Sequence, residues 1–307
     1  MKPERQAYLL LALIILLWGA NWPIMKIGLE YIPPVWFTAI RLLFGAACLF
    51  VLLAVRGKLI LPVRHDLPAL LSMGFVQFGL GLALIHIGLS SVEAGRSAIL
   101  AYTTPLWVAP MAVLILGERL GPYKIAGLIL GLAGLAVLFN PATFDFSNPD
   151  VLLGNGLLLA AAICFSVVIV HIRRHRLAMT PLQLVPWQML LGGCVLMAVA
   201  TVYEEMPPLA YSHTLAAVII YNGPIASAYC FWASFTIMRT LSATSTALGS
   251  LGVPVAGLVF SAIALGEPLS APKVLGLTLI SSAVVALIVG DFIKKPKLAS
   301  QWRNPHS

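Results

Sequence analysis

The sequence predicts an all-α integral membrane protein of ten transmembrane helices, arranged as two inverted five-helix repeats with the N-terminus and the C-terminus both cytoplasmic. Three observations carry that prediction. Of 307 residues, 60% are hydrophobic and only 10% are charged, against about 25% charged in soluble domains. Ten apolar stretches follow one another at 6–26, 34–55, 67–89, 96–116, 121–139, 151–171, 181–203, 213–238, 243–264 and 271–292, each near the roughly 20 residues that cross a hydrocarbon core. The third observation is that one passage is written twice. The run Ala94 to Leu128 returns 149 residues later as Ala243 to Leu277, pairing Pro105 with Pro254, Leu116-Gly117-Glu118 with Leu265-Gly266-Glu267, Leu120 with Leu269, Lys124 with Lys273 and Gly127 with Gly276. An offset of about half the chain marks a duplicated unit. The units are 6–139 and 151–292, followed by a basic tail at 293–307.

The elements are delimited in order by turn chemistry. Helix one runs on through Trp18 and Trp22 with no small-residue cleavage pattern behind it, so it is expected to stay as a span. Pro33-Pro34 opens helix two, Pro62 precedes helix three, Asn140-Pro141 separates the repeats, Pro181 opens helix seven, Pro207-Pro208 precedes helix eight, and Gly266-Glu267-Pro268 separates helices nine and ten. Cys48, Cys164, Cys194 and Cys230 all fall within spans and show no metal-ligand or redox spacing.

Charge orients the bundle. A cytoplasmic N-terminus places fifteen of the nineteen basic residues on the cytoplasmic side, leaves Lys26, Arg96 and Lys273 outside, and holds Arg41 within helix two. The net charge of +8 is therefore topological. No contiguous basic patch with stacking aromatics appears, which excludes a nucleic-acid partner. The partners expected are a small-molecule substrate and the lipid bilayer, with the chain a monomer or homodimer and no cofactor or metal. Five helices per repeat is an odd number, so the second copy enters the membrane from the opposite side. Such inverted repeats exchange inward-open and outward-open states around a central site.

The motif WGANWPIMK from Trp18 to Lys26, the Ala-Ile-Arg ending at Arg41, and the stretch from Pro105 to Gly117-Glu118-Arg119 resemble an EamA domain of the drug/metabolite transporter superfamily. The second repeat is similar in weaker form, with Phe165 where Trp18 would be, Arg173 where Lys26 would be, and Leu265-Gly266-Glu267 retained. The resemblance covers residues 6 to 292. It implies a ten-helix basket in a bacterial inner membrane that exports amino acids or other small metabolites, with a cavity formed mainly by helices one, three, four, six, eight and nine.

Polar groups inside spans are costly in lipid and face the bundle interior. Trp18, Asn21 and Trp22, spaced i, i+3, i+4, share a face of helix one. Trp18 lies too deep for an aromatic belt, whereas Trp22 also suits one. Tyr102 and Trp107 on helix four and Tyr221 and Asn222 on helix eight bring hydroxyl, amide and aromatic groups to similar depths. Pro105, Pro224 and Pro254 either kink their helices to expose carbonyls or serve as packing kinks. Gln77, among Gly74, Gly79 and Gly81, either recognises a polar ligand or bonds a neighbouring helix. His86 is a candidate proton-linked residue, or a satisfied polar group near an interface. Tyr229 and Trp232, with Trp187 and Gln188, either form a gate or pack. Arg41 reads better as an anchor, snorkelling or bound to carbonyls. Glu118 and Glu267 read as turn elements at helix ends.

No Asp or Glu falls in the centre of a span. That disfavours carboxylate-relayed coupling, metal dications and fully cationic drugs, and favours a neutral or zwitterionic substrate with an apolar side chain. The reading is an alternating-access exporter of amino acids or similar amphipathic metabolites, and not an enzyme. The alternatives are a nucleotide-sugar or sugar-phosphate exchanger of the same superfamily, which needs cations deep in the cavity, and an integral-membrane lipid-modifying enzyme using His86 or His171 as a base.

Overall fold

A computed structural model describes residues 3–117, 121–140, 146–175, 177–205, 212–240 and 251–293, and every regular element among them is helical. Glu118, the first residues expected in helix nine (243–250) and residues 294–307 of the tail lie outside the described residues. In chain order the helices are α1 (Pro3–Gly28), α2 (Pro34–Val55), α3 (Arg64–Ser91), α4 (Ala94–Ala101 with Thr104–Leu116), α5 (Pro122–Leu138) and α6 (Pro149–Arg174). There follow α7 (Pro181–Tyr203), α8 (His213–Ile220, Tyr221–Tyr229 and Cys230–Thr240), α9 (Gly252–Leu265) and α10 (Ala271–Ile293). Seven runs are long and apolar enough to cross a membrane, and three shorter apolar helices accompany them. Leu114, Val55 and Ile263 are 84%, 83% and 77% exposed, which only a hydrocarbon surrounding makes favourable. The chain is a multi-pass membrane protein.

Prolines in the first turn start α2, α5, α6 and α7, where the missing N–H has no partner to lose. Two starts are capped as well. Asn148 accepts from Asp150 N and Val151 N, and Thr180 and Gln183 form a reciprocal capping box. Gly117 and Gly266 close α4 and α9 in the left-handed region, at φ +68° and +69°, a conformation that excludes side chains there.

Helix four differs from the single expected run over 96–116, because it breaks at Tyr102-Thr103. Pro105 has no N–H to give Ala101 O, and the hydroxyls of the two preceding threonines fill the gap. Thr104 Oγ1 donates to Ala101 O at 3.0 Å and Thr103 Oγ1 to Leu100 O at 2.7 Å. Helices α3 and α8 also depart from α geometry, each with a wide π-type stretch, at Ser72–Gly81 and Tyr221–Tyr229. Such stretches widen the turn and free carbonyls. The two begin 149 residues apart, the offset of the sequence repeat.

The main packing pairs recur when the first five helices are exchanged for the last five. Helix α1 packs on α9 as α4 does on α6, α2 on α8 as α3 does on α7, and α1 on α8 as α3 does on α6; α2 meets α7 and α5 meets α10. Small residues let these backbones approach closely. At the α3–α6 crossing, a Cβ on Gly88 would stand 2.7 Å from Gly154 O, and one on Gly154 would stand 2.9 Å from Gly88 O. Because both obstacles are backbone, Gly88→Val is expected to lower stability by about 1–3 kcal/mol. Gly156, with open space around it, is the comparison. In thermal unfolding in detergent, Gly156→Ala should leave the midpoint unchanged while Gly88→Val lowers it.

Candidate functional site

The two ends of the bundle are tied by carboxylates seated on backbone N–H groups. At one end Glu204 accepts from Val35 N and Trp36 N at 3.0 and 2.9 Å, and Glu267 accepts from Ala94 N and Gly95 N at 2.6 and 2.9 Å. These are the free donors of the first turns of α2 and α4, and the helix dipoles strengthen the bonds. Glu267 is thus more than the turn element its position suggests. Beside it Lys26 Nζ donates to Leu89 O, Ser90 O and Val92 O at the end of α3, and Lys273 pairs with Glu93 at 2.6 Å. At the opposite end the fully buried Asp66 accepts from Ala178 N and Met179 N at 3.0 and 2.7 Å, just before α7.

Between these ends, polar side chains from four helices meet around Arg41, which is 4% exposed. It does not snorkel, because it sits on the inner face of α2 and reaches across to α8. Its Nε and Nη2 both donate to Ser227 Oγ at 3.2 Å, and Nη1 lies 3.0 Å from Met25 Sδ and 3.4 Å from His86 Nε2. His86, fully buried, has Nδ1 at 2.8 Å from Leu82 O, which places its proton on Nδ1 and turns the Nε2 lone pair toward Arg41. It is a neutral acceptor here.

Several residues expected in the site gather on this centre. Trp18 Nε1 donates at 3.0 Å to Ala226 O, a carbonyl of the wide stretch of α8, and its ring meets Phe231 edge-on at 5.6 Å. Asn21, one turn before Met25, is buried with Oδ1 lacking a partner among the described residues. Asn222 is fully buried; its Nδ2 donates to Val218 O, and its Oδ1 likewise has no partner. Tyr221 Oη donates to Leu17 O at 2.7 Å, joining α8 to α1. Tyr102 is half-buried against the main apolar core.

Others stand apart. Trp22 lies in neither belt nor polar centre, since it is buried against α9, its Cδ1 3.0 Å from where a Cβ on Gly257 would be. Trp107 donates to Thr103 Oγ1 of its own helix at 3.2 Å. Gln77 is half-buried on the wide stretch of α3. Tyr229 and Trp232 pair at 5.6 Å where the far end of α8 meets Ala7, Leu11 and Ile14 of α1. Trp187 and Gln188 are bound as packing groups, Trp187 Nε1 to Ile60 O and Gln188 Nε2 to Met73 Sδ, both at 3.0 Å. The anchor role that the sequence suggests for Arg41 leaves out its partners Ser227 and Met25. The available signal was Arg41 itself, a cation within a span with no carboxylate in reach.

Two further features lie away from the polar centre. An apolar groove of about 560 Å³ runs between α1, α9 and α10, lined by Ile15, Leu16, Val255, Val259 and Phe260, and takes in none of the expected site residues. His65, Asp66 and His175 bring their donor atoms within 4.8 Å of one another, a grouping of the start of α3 with the residue after α6 that no spacing in the sequence shows.

A helical bundle that crosses the membrane several times and shields a polar centre between its halves has the architecture of a membrane transporter. The chain belongs to the EamA-like transporter family, whose model matches residues 5–140 and again 152–289. It is 26% identical over 272 residues to the uncharacterized transporter YoaV of Bacillus subtilis, covering 88% of this chain and 92% of that one. It is also 26% identical over 301 residues to a probable amino-acid metabolite efflux pump of Escherichia coli, covering 94% and 96%. A crystal structure of a protein 24% identical shares the fold with a TM-score of 0.65, over 94% of this chain and 99% of that one.

The carboxylate ties can be weighed at two adjacent residues. Glu204 holds two N–H groups while Glu205 is exposed. Hydrogen bonds to a charged acceptor contribute about 1.5–3 kcal/mol, so Glu204→Gln should cost about that much in detergent unfolding. Glu205→Gln should stay within about 0.5 kcal/mol of the parent. Equal effects of the two would show that the tie adds nothing.

Proposed function

We propose that the chain is an alternating-access transporter that exports amino acids or similar small amphipathic metabolites across a bacterial cytoplasmic membrane. Its ten spans form two inverted repeats, 6–139 and 151–292, with both termini and the basic 293–307 tail in the cytoplasm. The family match, made twice along the chain, supports this reading, and so does a relative named as an amino-acid metabolite efflux pump. So do the main helix pairs, which recur on exchange of the two halves as expected of a rocking pair of repeats.

The observation that carries the substrate class is the two buried amide oxygens, Asn21 Oδ1 and Asn222 Oδ1, which have no partner among the described residues. An acceptor left open in an apolar interior costs free energy, and an ammonium or other donor on a bound metabolite offsets that cost. Aromatic rings of α1, α3 and α8 meet edge-on in the same bundle, Trp18 with Phe231 at 5.6 Å and Phe231 with Phe78 at 5.2 Å. These suit an apolar side chain. The cluster holds one cation, Arg41, where a sugar phosphate calls for several.

Proteoliposomes preloaded with phenylalanine or leucine are expected to lose them faster than protein-free vesicles, and no flux of either would defeat the proposal. Asn21→Leu separates function from fold. Removing an unpartnered acceptor should leave the unfolding midpoint equal or higher, while flux falls about tenfold, as loss of one buried hydrogen-bond partner predicts. A variant with full flux takes Asn21 out of the site.

A further inference from the structure

Arg41 is a permanent cation in the middle of a membrane bundle, and each partner it has is neutral. The guanidinium cannot shed its proton. Its contacts are a serine hydroxyl, a thioether sulfur and an imidazole nitrogen, and no carboxylate reaches it among the described residues. The other cations of the bundle are answered differently. Lys26 ends on three carbonyl oxygens, Lys273 on Glu93, and Arg96 on Asn155 Oδ1, Leu138 O and the face of Phe139.

Geometry adds to the imbalance of charge. The Nε and Nη2 groups of a guanidinium form a fork whose two parallel N–H bonds match the two oxygens of a carboxylate. In Arg41 that fork closes on the single oxygen of Ser227, with both distances at 3.2 Å. Charge-assisted N–H to carboxylate bonds run at about 2.7–2.9 Å, so the fork is occupied but underused. Ser227 lies on the wide stretch of α8, where helix geometry is already relaxed, five residues after the open amide of Asn222. Met25, on the other side of the guanidinium, is one turn beyond the open amide of Asn21.

We infer that Arg41 is the binding group for the carboxylate of the transported metabolite, with Ser227 holding the fork until the substrate displaces it. This rests on the transport reading above and gives it a substrate class: monocarboxylates, α-amino acids among them. The amide oxygens of Asn21 and Asn222 take the ammonium, and the fork takes the carboxylate. An amino acid thereby meets a complement at each pole, and an anion meets a buried cation that no carboxylate among the described residues reaches. His86 completes the arrangement as a positioning residue, its Nε2 lone pair holding Nη1 on the side away from the fork.

The test measures binding to the purified full chain in lipid nanodiscs, with L-phenylalanine, L-leucine and phenylacetate set against L-phenylalaninamide, which keeps the side chain and amine but lacks the carboxylate. The expected result is a preference for carboxylates over the amide of at least tenfold. Arg41→Gln should abolish that preference by weakening the carboxylates and leaving the amide within about threefold, and Arg41→Lys should restore part of it. Three results would overturn the inference: equal binding of acid and amide, no binding of any carboxylate, or a folded Arg41→Gln that keeps the preference. If Arg41→Gln does not fold, the comparison of acid with amide on the parent protein decides alone. Flux is read separately, so a protein that binds carboxylates selectively but moves none refutes the transport reading and leaves this one standing.

Discussion

A carboxylate from one half of the chain, seated on a helix start of the other half, is the contact that holds this bundle together at its ends. Glu204 comes from the second half and binds the start of α2; Glu267 comes from the second half and binds the start of α4; Asp66 comes from the first half and binds the backbone just ahead of α7. Within a bilayer the two halves gain little by burying apolar surface against each other, because lipid is equally apolar. Association then depends on close backbone packing and on polar contacts. The glycine crossing of Gly88 with Gly154 supplies the first in the middle of the bundle, and the carboxylates supply the second at its rims. Carboxylate bonds at the rims lie within reach of water, which can take their place.

The helices were legible because hydrophobic length is a strong signal and proline and glycine punctuate it. Pro34, Pro122, Pro149 and Pro181 each stand in the first turn of a helix, and Gly117 and Gly266 each close one. The irregularities within helices were not legible. Pro105 signalled a disturbance in α4, but whether it bends or divides the helix depends on Thr103 and Thr104 taking up the freed carbonyls. The wide stretches of α3 and α8 carry no proline in one case and Pro224 in the other, so composition does not mark them. Their common position in the two halves shows that packing selects them.

The polar centre was partly legible for a related reason. Depth along a helix can be counted from sequence, so Tyr102 on α4 and Tyr221 and Asn222 on α8 are expected at similar levels, and the fold ties Trp18 and Tyr221 across α1 and α8, the helix that also carries Ser227, the partner of Arg41. Rotation about a helix axis is harder to read. Trp22 and Asn21 are neighbours in sequence, yet one packs on Gly257 and the other lies one turn from the guanidinium contact at Met25. Rotation is fixed by which partner helix lies on which side, and that is a property of the assembled bundle.

The way the two halves differ at one pair of positions bears on how the centre works. Arg41 and Gln188 each stand seven residues beyond the proline that starts its helix, Pro34 on α2 and Pro181 on α7. Both are buried, both reach a methionine sulfur of the first half at 3.0 Å, Met25 of α1 for Arg41 and Met73 of α3 for Gln188, and Gln188 Oε1 has no partner among the described residues. Two arginines so placed would put like charges on the two helices that pack together at the core of the bundle, a cost that grows as the dielectric falls. Two glutamines would leave nothing to attract an anion. One of each concentrates the charge in one half. The duplicated frame therefore fixes where a charged side chain can stand, and the loss of symmetry at that position fixes the sign of what it attracts.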